Sequence, residues 1–287
     1  MEPTTEIFSG AGREGNCMFK YKGRYYFCSS NLHGWNASPT YVISATNIRG
    51  PYGPESVMTN TAVDFSHVTQ TGFFFNVNGS AQSTVVFCGD RWSDFGGNGI
   101  GYNQWCPLSF DGTAPVFNSL SEWEIDATTG TWKVGPGNNY VMNPSFEADR
   151  VSQRALAGWK NVSNTSAADP NGNSRKGEAH TGNFCMQQSY GASYQATMSQ
   201  DISGLPDGEY TLSAWVKSSG GQKSAVLAAS NFGGADMSSS IAREISAWTQ
   251  IFIPGIKITG GKCRVSISSD AHANEWVRVD DVALVGH

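Results

Sequence analysis

Apolar and polar residues alternate along this chain in short runs broken by Gly- and Asn-containing turns, with a period of two rather than the longer period of a helix. Cys17 to Lys22 and Tyr25 to Ser30 form two β-rich arms around Gly23-Arg24, and Tyr41 to Ala45 adds a strand. Phe73 to Val77 and Thr84 to Cys88 flank a turn at Asn78-Gly79, and Trp123 to Asp126 and Thr131 to Val134 flank Thr128-Thr129-Gly130. Repeated antiparallel units at this spacing are what propeller blades produce, each blade being a small four-stranded meander; periodicity alone leaves a sandwich open.

After the breakers Val134-Gly-Pro-Gly-Asn-Asn139 the pattern changes. Tyr194 to Ser199, Glu209 to Lys217, Ala225 to Ala229, Thr249 to Ile258, Cys263 to Ser269 and Trp276 to Val285 read as strands of a β-sandwich, separated by turns such as Leu205-Pro-Asp-Gly208 and Gly260-Gly261. In Tyr210 to Lys217 the residues Tyr210, Leu212, Ala214 and Val216 share one face, while Thr211, Ser213, Trp215 and Lys217 share the other. The first face is core. The second sets a Trp among small polar side chains, as sugar-binding faces do. The expected division is residues 1–135, a linker at 136–142, and a module at 143–287.

Composition narrows the function classes. Charged residues are 15% and net charge is −5, with no basic block, so neither nucleic acid nor an anionic membrane is expected as a partner. A neutral ligand fits better, and the 12% aromatic content supplies rings for strands or for stacking on sugars. No apolar run approaches the roughly 20 residues of a membrane span, and Met1 to Gly12 lacks the pattern of a signal peptide, so the start reads as artificial or truncated. Six cysteines without a CxxC pair argue against zinc; most are expected as buried thiols, while Cys17 and Cys28 flank a hairpin where they either pair or stay free.

Several segments together resemble glycoside hydrolase family 43, in the branch of exo-acting β-1,3-galactosidases and galactanases. They are Arg13-Glu-Gly-Asn-Cys-Met-Phe-Lys-Tyr-Lys-Gly-Arg-Tyr-Tyr-Phe-Cys-Ser-Ser30, Leu32-His-Gly-Trp-Asn36, Gly89-Asp-Arg-Trp92 and Trp105-Cys-Pro-Leu108. The resemblance spans about residues 13 to 134 and implies the C-terminal blades of a five-bladed propeller. It implies that Glu14 is the general acid that protonates the departing glycosidic oxygen. The chemistry also needs a carboxylate that activates water from the opposite face of the ring, about 6.5 to 9.5 Å away in an inverting enzyme. Family members carry that base Asp, and a pKa-tuning carboxylate, in earlier blades, whereas only 13 residues precede Glu14. A chain of this kind is expected to hydrolyse poorly, and self-association through an incomplete propeller is a further expectation.

The same resemblance makes His67 the histidine aimed at the propeller axis, beside a cation or water. Trp35, Trp92 and Trp105, expected in loops, are candidate pyranose platforms, and Asp90 either shapes the sugar subsite or pairs within its blade. Residues 140 to 286 resemble jelly-roll carbohydrate-binding modules at Asn143-Pro-Ser-Phe-Glu147, Gly158-Trp159, Leu205 to Val216 and Trp276 to Val282. That likeness implies a structural calcium on Glu147 and Asp281, with Asp280 in reserve. Trp215 leads the module's sugar-binding candidates, followed by Tyr194, Tyr190 and Trp276. The resulting expectation is a secreted or periplasmic all-β protein that acts on galactan or a related polysaccharide, or that binds such a glycan without turnover.

Overall fold

The computed structural model describes residues 12–92, 101–148, 156–167 and 178–287. The chain divides into two compact units between Val134 and Gly135. Every described element except one short helix is a strand, in keeping with the all-β expectation.

The first unit contains two four-stranded antiparallel meanders. One is β1 (Arg13–Tyr21), β2 (Arg24–Asn31), β3 (Thr40–Ala45) and β4 (Ser56–Val57). After helix α1 (Thr61–Val68), the other is β5 (Gln70–Asn78), β6 (Ser83–Arg91), β7 (Tyr102–Asp111) and β8 (Ala114–Phe117); a ribbon of β9 (Trp123–Ile125) and β10 (Trp132–Val134) follows. The first hairpin turns on Lys22 and Gly23, at φ 45° and 80°, so that Tyr21 faces Arg24. Two successive positive-φ residues make the tight turn whose twist matches a strand pair.

Alternation sends Phe19 and Tyr26, directly paired and stacked at 4.7 Å, into a core shared by both sheets with Val42, Val85, Phe87, Leu108 and Phe117. The leading strands β1 and β5 lie against each other. Gly15 makes that approach feasible: it has φ +61°, and a Cβ there would sit 2.2 Å from the Thr71 carbonyl oxygen. Cys17 faces Cys28 across β1 and β2, and all six cysteines are free thiols. Burial pushes the Cys17 thiol up to about 12.

The second unit is a two-sheet sandwich built from β11 (Lys160–Ser163), β12 (Met186–Ser189), β13 (Tyr194–Ser203), β14 (Gly208–Ser219), β15 (Ser224–Ser230), β16 (Met237–Ser240), β17 (Glu244–Ile258), β18 (Lys262–Ala271) and β19 (Trp276–Gly286). One sheet has the order β11-β13-β18-β15-β16 and the other β12-β19-β14-β17, all antiparallel. Setting β11 aside, this is the strand order of a jelly roll. Between the sheets lies one apolar core that includes Leu212, Ala214, Val216, Leu227, Ile256, Val265, Ile267, Val279 and Leu284. Tyr210, Leu212, Ala214 and Val216 of β14 are buried, whereas Thr211, Trp215 and Lys217 keep exposed surface.

Two expectations are corrected. The segment 136–142 is not a free linker, because Tyr140 N–H donates to Leu284 O (3.1 Å) and Asn139 bonds Val282 O and Leu284 N–H, which ties it to β19. Trp105 lies within β7 and not in a loop; Pro107 in the same strand reads as a breaker in the sequence. Among the described residues, no helix is long and apolar enough to cross a membrane.

Leu212→Ala should lower unfolding stability by about 3 kcal/mol, whereas Thr211→Ala on the opposite face of β14 should change it by less than about 0.5 kcal/mol. Urea unfolding followed by tryptophan fluorescence checks both.

Candidate functional sites

In the first unit the strand ends, not their middles, carry the chemistry. Glu14, the second residue of β1, lies opposite Ser30, and a bulge follows it at Gly15 and Asn16. Gln70, the first residue of β5, is 5% exposed and serves as the node of a small network. Its Nε2 donates to Glu14 Oε1 (2.8 Å) and to Gly34 O (2.9 Å), while its Oε1 accepts from Trp92 Nε1 (3.1 Å). This pattern fixes the amide orientation, because the nitrogen faces two acceptors and the oxygen a donor. The Trp92 ring meets Trp35 edge to face at 4.8 Å and 90°, and Trp35 is 70% exposed.

Three residues singled out in the sequence, Glu14, Trp35 and Trp92, are therefore brought together by a fourth that was not. A half-buried carboxylate with one oxygen held by an amide, beside an exposed indole, can contact a pyranose through both its hydroxyls and its C–H face.

The other candidates of this unit are not members of the Gln70 network. Asp90 faces Gln70 across β5 and β6, but its Oδ1 accepts from Asn103 Nδ2 (2.6 Å), so it pairs within its own sheet. Trp105 is 46% exposed, stands edge to face with Phe75 at 5.2 Å, and its carbonyl accepts Trp123 Nε1–H (2.8 Å). His67 ends α1 in a run of four left-handed residues, Phe65 to Val68, with φ between 52° and 59°. Its Nδ1 lies 2.7 Å from Ser119 Oγ, and burial, with the nearby Arg91 guanidinium, lowers the imidazole to about 3.

In the second unit, residues 180–184 rest on the three carboxylates predicted as metal ligands. Glu147 Oε1 accepts from the N–H groups of Asn183 and Phe184 (both 2.7 Å). Asp280 Oδ2 accepts from the N–H groups of His180 (2.7 Å) and Thr181 (3.2 Å), and its Oδ1 from Asp281 N–H (2.8 Å). Gly182 is required here: it has φ +64°, and a Cβ would meet Glu147 Oε1 at 2.3 Å. Glu147 and Asp280 are 4% and 0% exposed, and burial, reinforced by neighbouring Asp281, pushes the Asp280 carboxyl well upward.

Buried carboxylates meeting one short loop are donors suited to a hard cation. A calcium ion takes roughly six to eight oxygens, of which these two carboxylates would offer two. Among the described residues no group of three or more His, Cys, Asp and Glu is placed to hold a metal, so the remaining oxygens would be carbonyls or water. Asp281 is directed away to His180 Nδ1 (2.5 Å) and Thr181 Oγ1 (2.6 Å).

The aromatic candidates of this unit divide by exposure. Trp215 points outward as expected, but His180 stacks on its ring at 3.8 Å and 14°, with Trp248 edge to face against the imidazole at 6.0 Å. Trp276 is half-buried under the Arg278 guanidinium, 4.8 Å from its ring centre. Tyr190 is 40% exposed. Tyr194 corrects its expectation: it is 2% exposed, its hydroxyl donating to Gln188 O and Glu275 O, so it offers no ring face to a ligand. An open groove of about 550 Å³ on the five-stranded sheet, lined by Val162, Asn164, Gln195, Thr197, Ser268 and Asp270 among others, has no aromatic ring in its lining.

No known family profile and no curated protein matches the chain. Among solved structures, TmCBM61 in complex with β-1,4-galactotriose is similar, with a TM-score of 0.45, 25% identity, and coverage of 52% of this chain and 99% of that one. The exo-β-1,3-galactanase of Phanerochaete chrysosporium, solved with galactose, has a TM-score of 0.41 and 18% identity, covering 96% of this chain and 59% of its own. The exo-β-1,3-galactanase of Clostridium thermocellum has a TM-score of 0.39 and 14% identity, covering 96% and 58%. The chain thus spans about three fifths of the length of each galactanase.

A buried imidazole that stays neutral down to about pH 3 makes stability depend on pH with a definite sign. The unfolded chain binds the proton from about pH 6.5 downward and the folded one does not, so the stability present above pH 6.5 falls on acidification, by about 2 kcal/mol at pH 5. Urea midpoints of wild type and His67→Gln between pH 7 and 5 test this, and the variant should lack that share of the decline.

Proposed function

We propose that the protein is directed to β-galactan. Its first unit holds a sugar residue at Glu14, Trp35 and Trp92, and its second is a carbohydrate-binding module with Trp276, Tyr190 and the Trp215 and Trp248 cluster on its outer surface. The carrying observation is the Gln70 node, which fixes an acid, an amide and two indoles at one strand end although they are distant in sequence. On this reading the two meanders are blades of the five-bladed type, with β1 and β5 innermost.

Turnover is a second, more demanding reading. The family resemblance of the segment that holds Glu14 supports a general acid there and exo-release of galactose, but a base carboxylate is also needed. Among the described residues, Asp90 is paired with Asn103, and Asp64 is buried with Ser119. Binding without efficient hydrolysis is therefore the better supported function.

Titration calorimetry with β-1,3-galactotriose should show binding, and Trp35→Ala and Trp92→Ala should each weaken it about tenfold. Unchanged affinity in both variants would remove the first-unit subsite. Release of galactose from β-1,3-galactan, lost in Glu14→Gln, would instead establish the hydrolase.

Calcium is part of the same proposal, with Glu147 and Asp280 as its protein carboxylates. Its charge would offset the cost of burying them beside Asp281. Chelation with EDTA should lower the melting temperature by about 5 °C, excess calcium should restore it, and Glu147→Gln should respond to neither treatment.

A further inference from the structure

A second buried polar network lies where α1 meets Ser119, and its proton arithmetic is determinate. Asp64, Ser66 and Ser119 are 1%, 0% and 9% exposed. Ser119 Oγ donates to Asp64 Oδ2 (2.5 Å), and Asp64 Oδ1 accepts the backbone N–H of His67 (2.9 Å). A hydroxyl has one proton, so a serine that gives it to the carboxylate can only accept from His67 Nδ1, 2.7 Å away. His67 Nδ1 must then carry hydrogen, and Nε2 keeps its lone pair.

The backbone that presents the ring is strained and firmly pinned. Four consecutive non-Gly residues lie in the left-handed region, where Cβ is crowded against the following carbonyl oxygen. The run is held by Arg91, whose Nη2 donates to His67 O (2.5 Å) and whose Nε donates to Val68 O (3.3 Å). Thr69 Oγ1 donates to Ser66 O (2.7 Å), and Ser66 Oγ to Ser38 O (2.9 Å). Such over-determination of an unfavourable turn is characteristic of positions where a side chain must be aimed. The imidazole retains 16% exposure, so it is not sealed from solvent.

We infer that Asp64 and Ser119 are positioning residues that hold His67 as the neutral Nδ1–H tautomer, so that Nε2 is a hydrogen-bond acceptor for a galactoside hydroxyl. The tautomer stands on these contacts alone; the galactoside rests on the proposed function. Two other sources reinforce the direction of the chain. Burial pushes the Asp64 carboxyl upward, and the Ser119 hydroxyl, the His67 N–H and the nearby Arg91 hold that rise in check. A neutral imidazole is also the form that burial selects for His67.

The full chain labelled with ¹⁵N-histidine separates the two tautomers in long-range proton–nitrogen correlation spectra, with His67 identified among the five histidines by its loss in His67→Gln. The expected wild-type spectrum has hydrogen on Nδ1 and none on Nε2. Ser119→Ala should shift the ring toward Nε2–H, and Ser119→Thr should restore the wild-type pattern. Addition of β-1,3-galactobiose should move the Nε2 resonance of wild type and leave that of Ser119→Ala in place.

A wild-type ring protonated at Nε2, or one unchanged by Ser119→Ala, overturns the positioning role. Calorimetric binding of the disaccharide without a response at Nε2 overturns the ligand assignment while the proposed function stands. Absence of binding with the Nδ1–H tautomer present overturns the proposed function and the galactoside together, and leaves the tautomer established.

Discussion

The close approach of β1 and β5 at Gly15 is the constraint on which the first unit's site depends. The backbone of β1 runs so near the Thr71 carbonyl that no side chain fits between them. That proximity lets the Gln70 amide reach Glu14, and the Ser30 hydroxyl accept from Thr71 N–H at 2.7 Å. With the strands an ångström or two farther apart, these hydrogen bonds would be lost and the carboxylate would have only solvent for company. The bulge that follows Glu14 breaks the regular pairing of β1 with β2 at the same place.

The second unit solves a different problem. Its main core is apolar, and the few buried polar side chains beside it are hydrogen-bonded, as Gln188 is to Ser269 Oγ and Ile267 O, while the loop at 180–184 carries the contacts to the buried carboxylates. That loop joins two functions that the sequence keeps separate. Its amides satisfy Glu147 and Asp280, and its His180 ring covers Trp215. A ligand seeking the Trp215 face meets an imidazole first, and the imidazole is itself tied to Asp281.

What was legible in the sequence follows from how local each signal is. The two faces of β14 are an alternation of adjacent residues, and the structure buries one face and exposes much of the other as that alternation requires. Short elements such as β11, β12 and β16 lack such a run, and β7 was obscured by Pro107. Glu14, Trp35 and Trp92 could be chosen because carboxylates and indoles advertise their chemistry. Gln70 could not. An uncharged amide has no signature of its own, and its importance arises only once β1, β5 and the end of β6 are placed side by side. Tyr194 was misread because the alternation along β13 buries it on one face with Ala196 and Met198, whereas Trp215 points outward as expected and only the His180 ring laid over it was unforeseen. His180 lies 35 positions before Trp215 in the chain, beyond the reach of any local pattern.

The position of β19 in its sheet sets the order in which the second unit can be completed. It is an interior strand, paired on one side with β12 and on the other with β14, yet it is synthesised after all eight of the unit's other strands. Until it emerges from the ribosome, β12 has no partner in its sheet, and β14 shows a bare edge and an unfilled row of core positions. The sandwich therefore cannot close progressively during translation; it waits for one late insertion between strands already made.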